Sequence, residues 1–280
     1  MGSEHPSGAD RDDARLGVED ILTQHRAHVD RVLPTGDSAA IKALYVELGG
    51  SLESSLGDSE APPLLSFPET LPVVVDLLSE ARGLILDAGC GPNPAVSLAL
   101  GRVAGCTMVA LDISLGSVRL ARAFAGRAGV SLRGVVGDLE ALPFRSGAFD
   151  AAVCDDTVEH LPDDRVGVRE LARVVAAGGH VVVATPNRHN LQVLCWRARD
   201  WVRGRRRPTS AYFAASSHLR EYGWREFEGL VEPSLVIRRR ATVAWSRGWK
   251  GRLASRLVRR GPLRRLGRVI VIEAEPRGGD

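Results

Sequence analysis

Apolar residues along this chain keep two alternating rhythms. Short unbroken runs recur at 84–88 (LILDA), 107–113 (TMVALDI), 130–138 (VSLRGVVGD), 149–155 (FDAAVCD) and 180–186 (HVVVATP). Their length and apolar density suit strands buried on both faces. Between them the spacing widens to that of a helix face, which predicts helices over about 72–81, 114–128 and 163–176, and a helical run AVSLALGRVAG after the first strand. Strand–helix alternation of this kind builds right-handed βαβ units and a parallel sheet with helices on both faces. Two later runs, 234–244 and 268–276, bring the strands to seven, and a short helix over 224–230 precedes them. The fold class expected is α/β: a doubly wound, seven-stranded, mostly parallel sheet with a helical N-terminal extension.

The extension has its own pattern. Residues 1–15 are polar and acidic and are expected to be disordered. Val18, Leu22, Val29 and Val32 predict a helix that Pro34-Thr35-Gly36 ends, with His25 and His28 as surface or packing residues. A second helix is expected from Ser38, as N-cap, to Leu48, followed by a loop, GGSLESSLGDSEAPP. The expected division is a tail (1–15), a helical extension or cap (16–66) and a main domain (67–280) with basic helical insertions at about 188–217 and 245–266. The cap is either a lid over the substrate or a structural extension.

Composition changes this picture in one place. Of 280 residues 44% are apolar and the net charge is only +3. Residues 1–195 hold 16 basic and 26 acidic residues, whereas residues 196–268 hold 20 basic and 5 acidic, a segment charge of +15. Lys42 and Lys250 are the only lysines. Such a segment faces phosphates, an anionic membrane or an acidic substrate, or is an arginine-rich solvated surface. Leu191, Leu194, Ala198, Trp201 and Val202, and again Trp249, Leu253 and Leu257, fall at helical spacing among arginines, so peripheral membrane contact is one reading and packing onto the domain the other. Cys90, Cys106, Cys154 and Cys195 are scattered, which disfavours zinc, and no His/Asp/Glu set is clustered in sequence, so no metal is expected. With no membrane-spanning run and no apolar signal core, the expected location is cytoplasmic.

The candidate chemistry begins after the first strand. Gly89 and Gly91 permit a sharp turn and close approach of a ligand. Pro92-Asn93-Pro94 stands where a dinucleotide-binding helix would begin, which weakens pyrophosphate binding. Asp87, Asp112 and Asp138 lie at or just after three successive strand ends. There Asp112 is placed to take both hydroxyls of a ribose and Asp138 an adenine amino group, which suits an adenosine carrying positive charge.

At these residues the chain closely resembles the class I S-adenosylmethionine-dependent methyltransferases, nearest to the small-molecule subgroup (methyltransferase type 11) that includes quinone-biosynthesis enzymes. The matching stretches are LILDAGCG, VALDIS, GDLEALPFRSGAFD, VCDDTVEHL and RELARVVAAGGHVVVATPN, in order over residues 84–187, with HLREYGWREFEGLV (218–231) similar to the family's next helix. Asn93 departs from the family, which usually has a third glycine there. The resemblance implies a Rossmann-like fold, S-adenosyl-L-methionine as cofactor and S-adenosyl-L-homocysteine as product. It implies that Asp87, Gly89 and Gly91 line the methionine and ribose side. Asp112 would hold the ribose with Ile113 against the adenine ring, Asp138 and Leu139 the adenine edge, and the backbone carbonyl of Cys154 would face the methionine amino group.

Methyl transfer from a sulfonium is direct displacement, and a base adds rate where the acceptor is a hydroxyl. His160, after the fourth strand beside Glu159, and His218 are the candidate catalytic bases; each has a purely structural reading too. Asp155, Asp156, Asn187 and His189 are expected to line the substrate pocket. The nucleic-acid methyltransferase signatures are absent, since Asp155-Asp156-Thr157-Val158 replaces an Asn/Asp-Pro-Pro-aromatic motif. The expected function is methyl transfer to a small-molecule acceptor, at a hydroxyl. The alternatives are a membrane lipid, a quinone or RNA docked through the basic third, or a non-catalytic regulatory protein. The sequence leaves the oligomeric state open.

Overall fold

The computed structural model describes residues 20–25, 27, 29–32, 35–57, 59, 69–103, 105–206, 218–243 and 262–277. The strands are β1 (Gly83–Ala88), β2 (Cys106–Asp112), β3 (Leu132–Val136), β4 (Phe149–Asp155), β5 (Val175–Pro186), β6 (Leu235–Val243) and β7 (Val269–Pro276). They form one seven-stranded sheet in the order β3-β2-β1-β4-β5-β7-β6. The first five pair in parallel and β7 runs antiparallel to both its neighbours, giving the mostly parallel, doubly wound sheet expected.

The continuous apolar runs are explained by burial on both faces. Alternate residues feed two separate cores: Leu86, Cys154, Val183 and Ile272 enter one, Ile85, Val153, Val182 and Val271 the other. Helices α2 (Leu71–Leu77) and α3 (Ala95–Leu100) cover the second face. Helices α5 (Asp164–Val174) and α7 (Trp224–Val231) cover the first, through residues such as Leu171 and Phe227. Helix α5 stops at Val174, short of the expected Ala176, because Val175 already pairs with Phe149 as the first residue of β5. A register shift between Phe149 and Ala151 absorbs the Gly178-Gly179 turn.

Residues 20–25 and 29–32 are helical, as the apolar spacing predicts, and His25 is buried against Tyr45; His28 lies outside the described residues. Helix α1 differs from expectation at both ends. It spans Ser38–Leu56, and Asp37, not Ser38, is its N-cap, accepting from the amides of Ala39 and Ala40. Gly49 and Gly50, expected to open a loop, lie inside it. The reason is tertiary contact with α4 (Leu115–Arg127). A Cβ on Gly49 would stand 2.0 Å from the Ser114 hydroxyl, and one on Gly116 would stand 2.3 Å from the Gly49 carbonyl. The two backbones meet where neither carries a side chain, and Leu52 and Leu56 continue the seam against Leu120 and Phe124.

Much of the arginine excess has partners. On the edge strand β6, Arg238 pairs with Glu275 at 2.7 Å, Arg239 with Asp76 at 3.2 Å, and Arg240 with Glu228 at 2.7 Å. Charged side chains of this kind also discourage a further strand from adding to the edge. Helix α6 (Leu191–Val202) is different: Trp196, Trp201 and Val202 are exposed, Trp201 to 77%. The second stripe, Trp249, Leu253 and Leu257, lies outside the described residues. Among those residues no helix is long and apolar enough to cross a membrane.

The two helix glycines make opposite predictions. Gly49→Ala forces apart the α1–α4 contact and is expected to cost ~1–3 kcal/mol. Gly50→Ala, with nothing within 4 Å of its new methyl, is expected to stabilise by ~0.5–1 kcal/mol. Urea unfolding of the two variants measures both; equal effects would remove the close-approach argument.

Candidate active site

The sheet changes direction at β1, whose neighbours are β2 on one side and β4 on the other. The crevice at the carboxyl ends of such strands is where an open α/β sheet takes its ligand. The glycine turn leaves β1 there. Gly89 and Gly91 have φ of 78° and 57°, in the left-handed region that only glycine enters without strain. Their reasons differ. A Cβ on Gly89 would stand 2.3 Å from the Thr157 methyl, whereas one on Gly91 would meet nothing within 4 Å. Gly89 is small so that Thr157 can close on it, with the threonine hydroxyl donating to its carbonyl at 3.2 Å. Gly91 leaves open space.

The acids are held by the backbone around them. Asp112 Oδ2 accepts the Gly91 amide at 3.0 Å and Oδ1 the Ser114 amide at 2.9 Å. Burial raises its carboxyl, and those hydrogen bonds pull the other way. A carboxylate has about four acceptor positions, so capacity remains for the hydroxyls of a sugar. Asp87 is more deeply placed. Its Oδ2 accepts from both the amide (3.2 Å) and the hydroxyl (2.6 Å) of Ser97, which fastens β1 to the first turn of α3. Burial pushes that carboxyl up to about 6. Asp138 uses Oδ1 to accept the Glu140 amide at 2.9 Å and Oδ2 to accept Lys42 Nζ at 2.6 Å.

The apolar residues named from sequence divide. Ile113 is half-buried and stays beside Asp112. Leu139 is packed in the core, against the place a Cβ of Gly167 would take. The Cys154 side chain is wholly buried among core residues, and burial pushes its thiol well up.

Beyond β4 the chain makes a strained turn. Asp156 has φ of 55°, the only non-glycine in the left-handed region among the described residues. Burial drives the Asp155 carboxyl well above the usual range, reinforced by the charges of Asp156 and Asp87. A short 3-10 helix, Val158–His160, follows. Glu159 is fully buried; its Oε2 accepts from Thr185 at 3.1 Å, and its backbone carbonyl accepts the Leu219 amide at 3.0 Å. That second bond brings in His218, whose Nε2 lies 3.8 Å from Glu159 Oε1. The His160 and His218 rings meet edge to face at 4.9 Å, and Tyr45 of α1 shares a 2.9 Å hydrogen bond with His160 Nδ1.

Glu159, His160 and His218 offer ligand atoms that all lie within 4.8 Å of one another, a set able to hold one cation. The sequence showed no such set because His218 is 58 residues from His160 and only the fold joins them. Burial raises Glu159 well above its ordinary value and pushes His218 down to about 3. A histidine so depressed is a weak base near neutrality.

Two of the residues expected to line the pocket stand just beyond the end of β5. Asn187 is wholly buried, donating to the carbonyls of Arg265 (2.9 Å) and Gly267 (2.7 Å) and accepting the His189 amide at 3.0 Å. Both ends of its amide are spent on pinning the end of β5 to the segment before β7, so it is structural. His189 is exposed and lies against Gly223. Sequence reasoning missed Ser97, Thr157, Lys42 and Tyr45. Thr157 stood inside a quoted motif; Ser97, Lys42 and Tyr45 are joined to the site only by folding.

A crevice at the sheet's reversal, three acids beside it, and a glycine turn with no phosphate-binding lysine are the plan of a class I S-adenosylmethionine-dependent methyltransferase domain. Residues 86–183 match the family model described as a methyltransferase domain. Among curated proteins it is 35% identical over 119 residues to the ubiquinone biosynthesis O-methyltransferase of Cronobacter sakazakii, covering 42% of this chain and 45% of that one. It is 32% identical over 135 residues to the protein of the same name from Xanthomonas axonopodis pv. citri, covering 47% and 56%. The chain therefore spans about half the length of the curated relatives it matches. Of solved structures, magnesium protoporphyrin IX methyltransferase from Synechocystis, crystallised with bound SAH, superimposes with a TM-score of 0.54 at 16% identity, covering 75% of this chain and 83% of that one, a likeness of fold.

Asp112→Ala removes a charged acceptor worth ~1.5–3 kcal/mol and is expected to weaken S-adenosylhomocysteine binding ~10- to 100-fold in calorimetry. Unaltered affinity in a folded variant would sink the ribose assignment.

Proposed function

We propose that this chain transfers a methyl group from S-adenosylmethionine to a hydroxyl oxygen of a small-molecule acceptor. The observation that carries the reading is the Glu159–His160–His218 cluster, a proton- and cation-handling group set beside the β4 end of an adenosine crevice. The curated relatives named as O-methyltransferases support the acceptor atom.

The residues present fit the cofactor. Gly91 leaves room beside the turn, Asp112 keeps acceptor capacity for vicinal hydroxyls, and the buried acids Asp87 and Asp155 favour a positively charged neighbour over a phosphate. When bound, the sulfonium supplies an activated methyl group and a neutral leaving thioether. The chain itself holds the sugar through Asp112 and the adenine edge through Asp138. It also keeps water out with the buried wall of Leu139 and Leu161 and accepts the acceptor's proton. For His160 to be that acceptor, its Nδ1–H must donate to Tyr45, which makes Nε2 the unprotonated ring nitrogen that takes the proton.

A second reading of the same cluster is favoured by Glu159 Oε1, which is buried and makes no hydrogen bond. A divalent cation held by Glu159, His160 and His218 would satisfy that oxygen and lower the pKa of a bound hydroxyl, so that the imidazoles act as ligands.

The exposed Trp196, Trp201 and Val202 of α6, with Arg197, Arg199 and Arg203 on the same helix, support docking on an anionic membrane that carries an apolar acceptor. The name of the relatives, ubiquinone biosynthesis O-methyltransferase, is consistent with an acceptor of that kind.

Three measurements test these readings. His160→Ala is expected to lower kcat by ~100-fold or more with cofactor affinity kept, which single-turnover kinetics with a catechol or phenol panel would read. Under the second reading, EDTA abolishes turnover and Mg2+ or Mn2+ restores it; indifference to both removes the cation. Co-sedimentation with phosphatidylglycerol vesicles is expected at low salt and to fall at high salt, with Trp201→Ala binding less; absence of binding at every salt concentration rejects docking.

A further inference from the structure

One stripe of helix α1 touches three parts of the site at once. Lys42, Tyr45, Val46 and Gly49 recur at 3–4 residue intervals, so they share a face. Lys42 Nζ bridges Asp138 Oδ2 (2.6 Å) and Glu140 Oε2 (2.5 Å), just beyond β3. Tyr45 bonds His160 beyond β4. The Val46 carbonyl accepts from the Ser114 hydroxyl at 3.3 Å, and Gly49 abuts the same serine, two residues beyond Asp112. The glycine contact with α4 sets how close the helix comes, and the rest of its face lies across the ends of β2, β3 and β4.

We propose that helix α1 is a wall of the active site that supplies two positioning residues, Lys42 for the adenine edge and Tyr45 for His160. This deepens the methyltransferase reading and rests on it.

The Lys42 part follows from charge. Asp138 and Glu140 are two carboxylates held two residues apart, and Glu140 is itself tied down, its Oε1 accepting the Asp163 amide at 2.6 Å. Without a cation between them they repel, and Asp138 is held only through its Oδ1 by the Glu140 amide. Lys42 cancels that repulsion and fixes Oδ2, while each Asp138 oxygen keeps a lone pair for a donor such as an adenine amino group. Burial works against the ammonium, yet the bonds to both acids outweigh it, so its pKa is raised and it stays charged. A compact ammonium can sit between two carboxylates where a planar guanidinium fork demands more room. In a chain with 37 basic residues, the lysine here is one of only two.

The Tyr45 part follows from packing. Its ring is held edge to face between His25 and His160, each at 5.3 Å between centroids. A tyrosine hydroxyl can donate or accept at His160 Nδ1. Which it does fixes the imidazole tautomer, and the ring contacts fix its orientation relative to His218.

A helix that only props the fold would change both steps together, so the test separates them. Lys42→Met and Tyr45→Phe are made in the full chain. Titration calorimetry with S-adenosylhomocysteine, kcat and KM for cofactor and acceptor, and thermal melting are then compared. The expected result is a split: Lys42→Met weakens S-adenosylhomocysteine tenfold or more and leaves saturated kcat within threefold. Tyr45→Phe lowers kcat tenfold or more and leaves the cofactor's affinity unchanged. Unaltered or tighter binding by Lys42→Met, unaltered kcat in Tyr45→Phe, or a matched loss of both in step with a lowered melting temperature overturns the proposal. Wild-type protein that binds no S-adenosylhomocysteine refutes the methyltransferase reading itself; wild-type binding with no split refutes only the role of α1.

Discussion

The hydrogen bond from the Gly91 amide to Asp112 ties the turn after β1 to the end of β2. It depends on two things the chain supplies separately: a glycine able to hold φ of 57°, and an acid ending the neighbouring parallel strand in register. Once made, it places an unencumbered stretch of backbone beside a carboxylate, at the point where the strand order reverses. The acids Asp87 and Asp138 and the strained turn at Asp156 are arranged around that point. Remove the register and these groups no longer converge.

Around this pin the molecule concentrates buried carboxyl groups. Asp87, Asp155 and Glu159 all sit where burial raises their carboxyls, and the imidazole nearest to Glu159 is pushed toward neutrality. A site so disposed is poor for phosphate and favourable for a ligand that brings positive charge, whether sulfonium or metal ion. Lys42 is the basic residue held at these acids; the arginines of β6 and α6 belong to other surfaces. On β6 they are spent on acids of neighbouring elements, and on α6 they stand beside exposed tryptophans. Among the described residues, the +15 segment is thus not one surface with one purpose.

The N-terminal extension is where tertiary structure altered the picture most. Gly49 and Gly50 read as helix breakers because glycine costs a helix ~0.5–1 kcal/mol relative to alanine. That local cost is offset by a contact that exists only when α1 lies on α4, and no local pattern announces it. The same docking puts Lys42 on Asp138 and Tyr45 on His160, turning a helix with a lid-or-prop ambiguity into part of the site's wall.

What the sequence by itself determined was the sheet and its ligand edge. Strands buried on both faces must be apolar throughout, and acids and glycines at their ends stand out against that background, so LILDAGCG, Asp112 and Asp138 were legible without coordinates. What only the tertiary structure decided was which side chains meet across long loops. His218 joins Glu159 through one backbone hydrogen bond, and Asn187, polar and next to a strand end, proves to be a buried pin because carbonyls from residues 265 and 267 arrive to meet its amide. Periodicity records the face a residue presents. It carries no record of the partner that the fold will bring to that face.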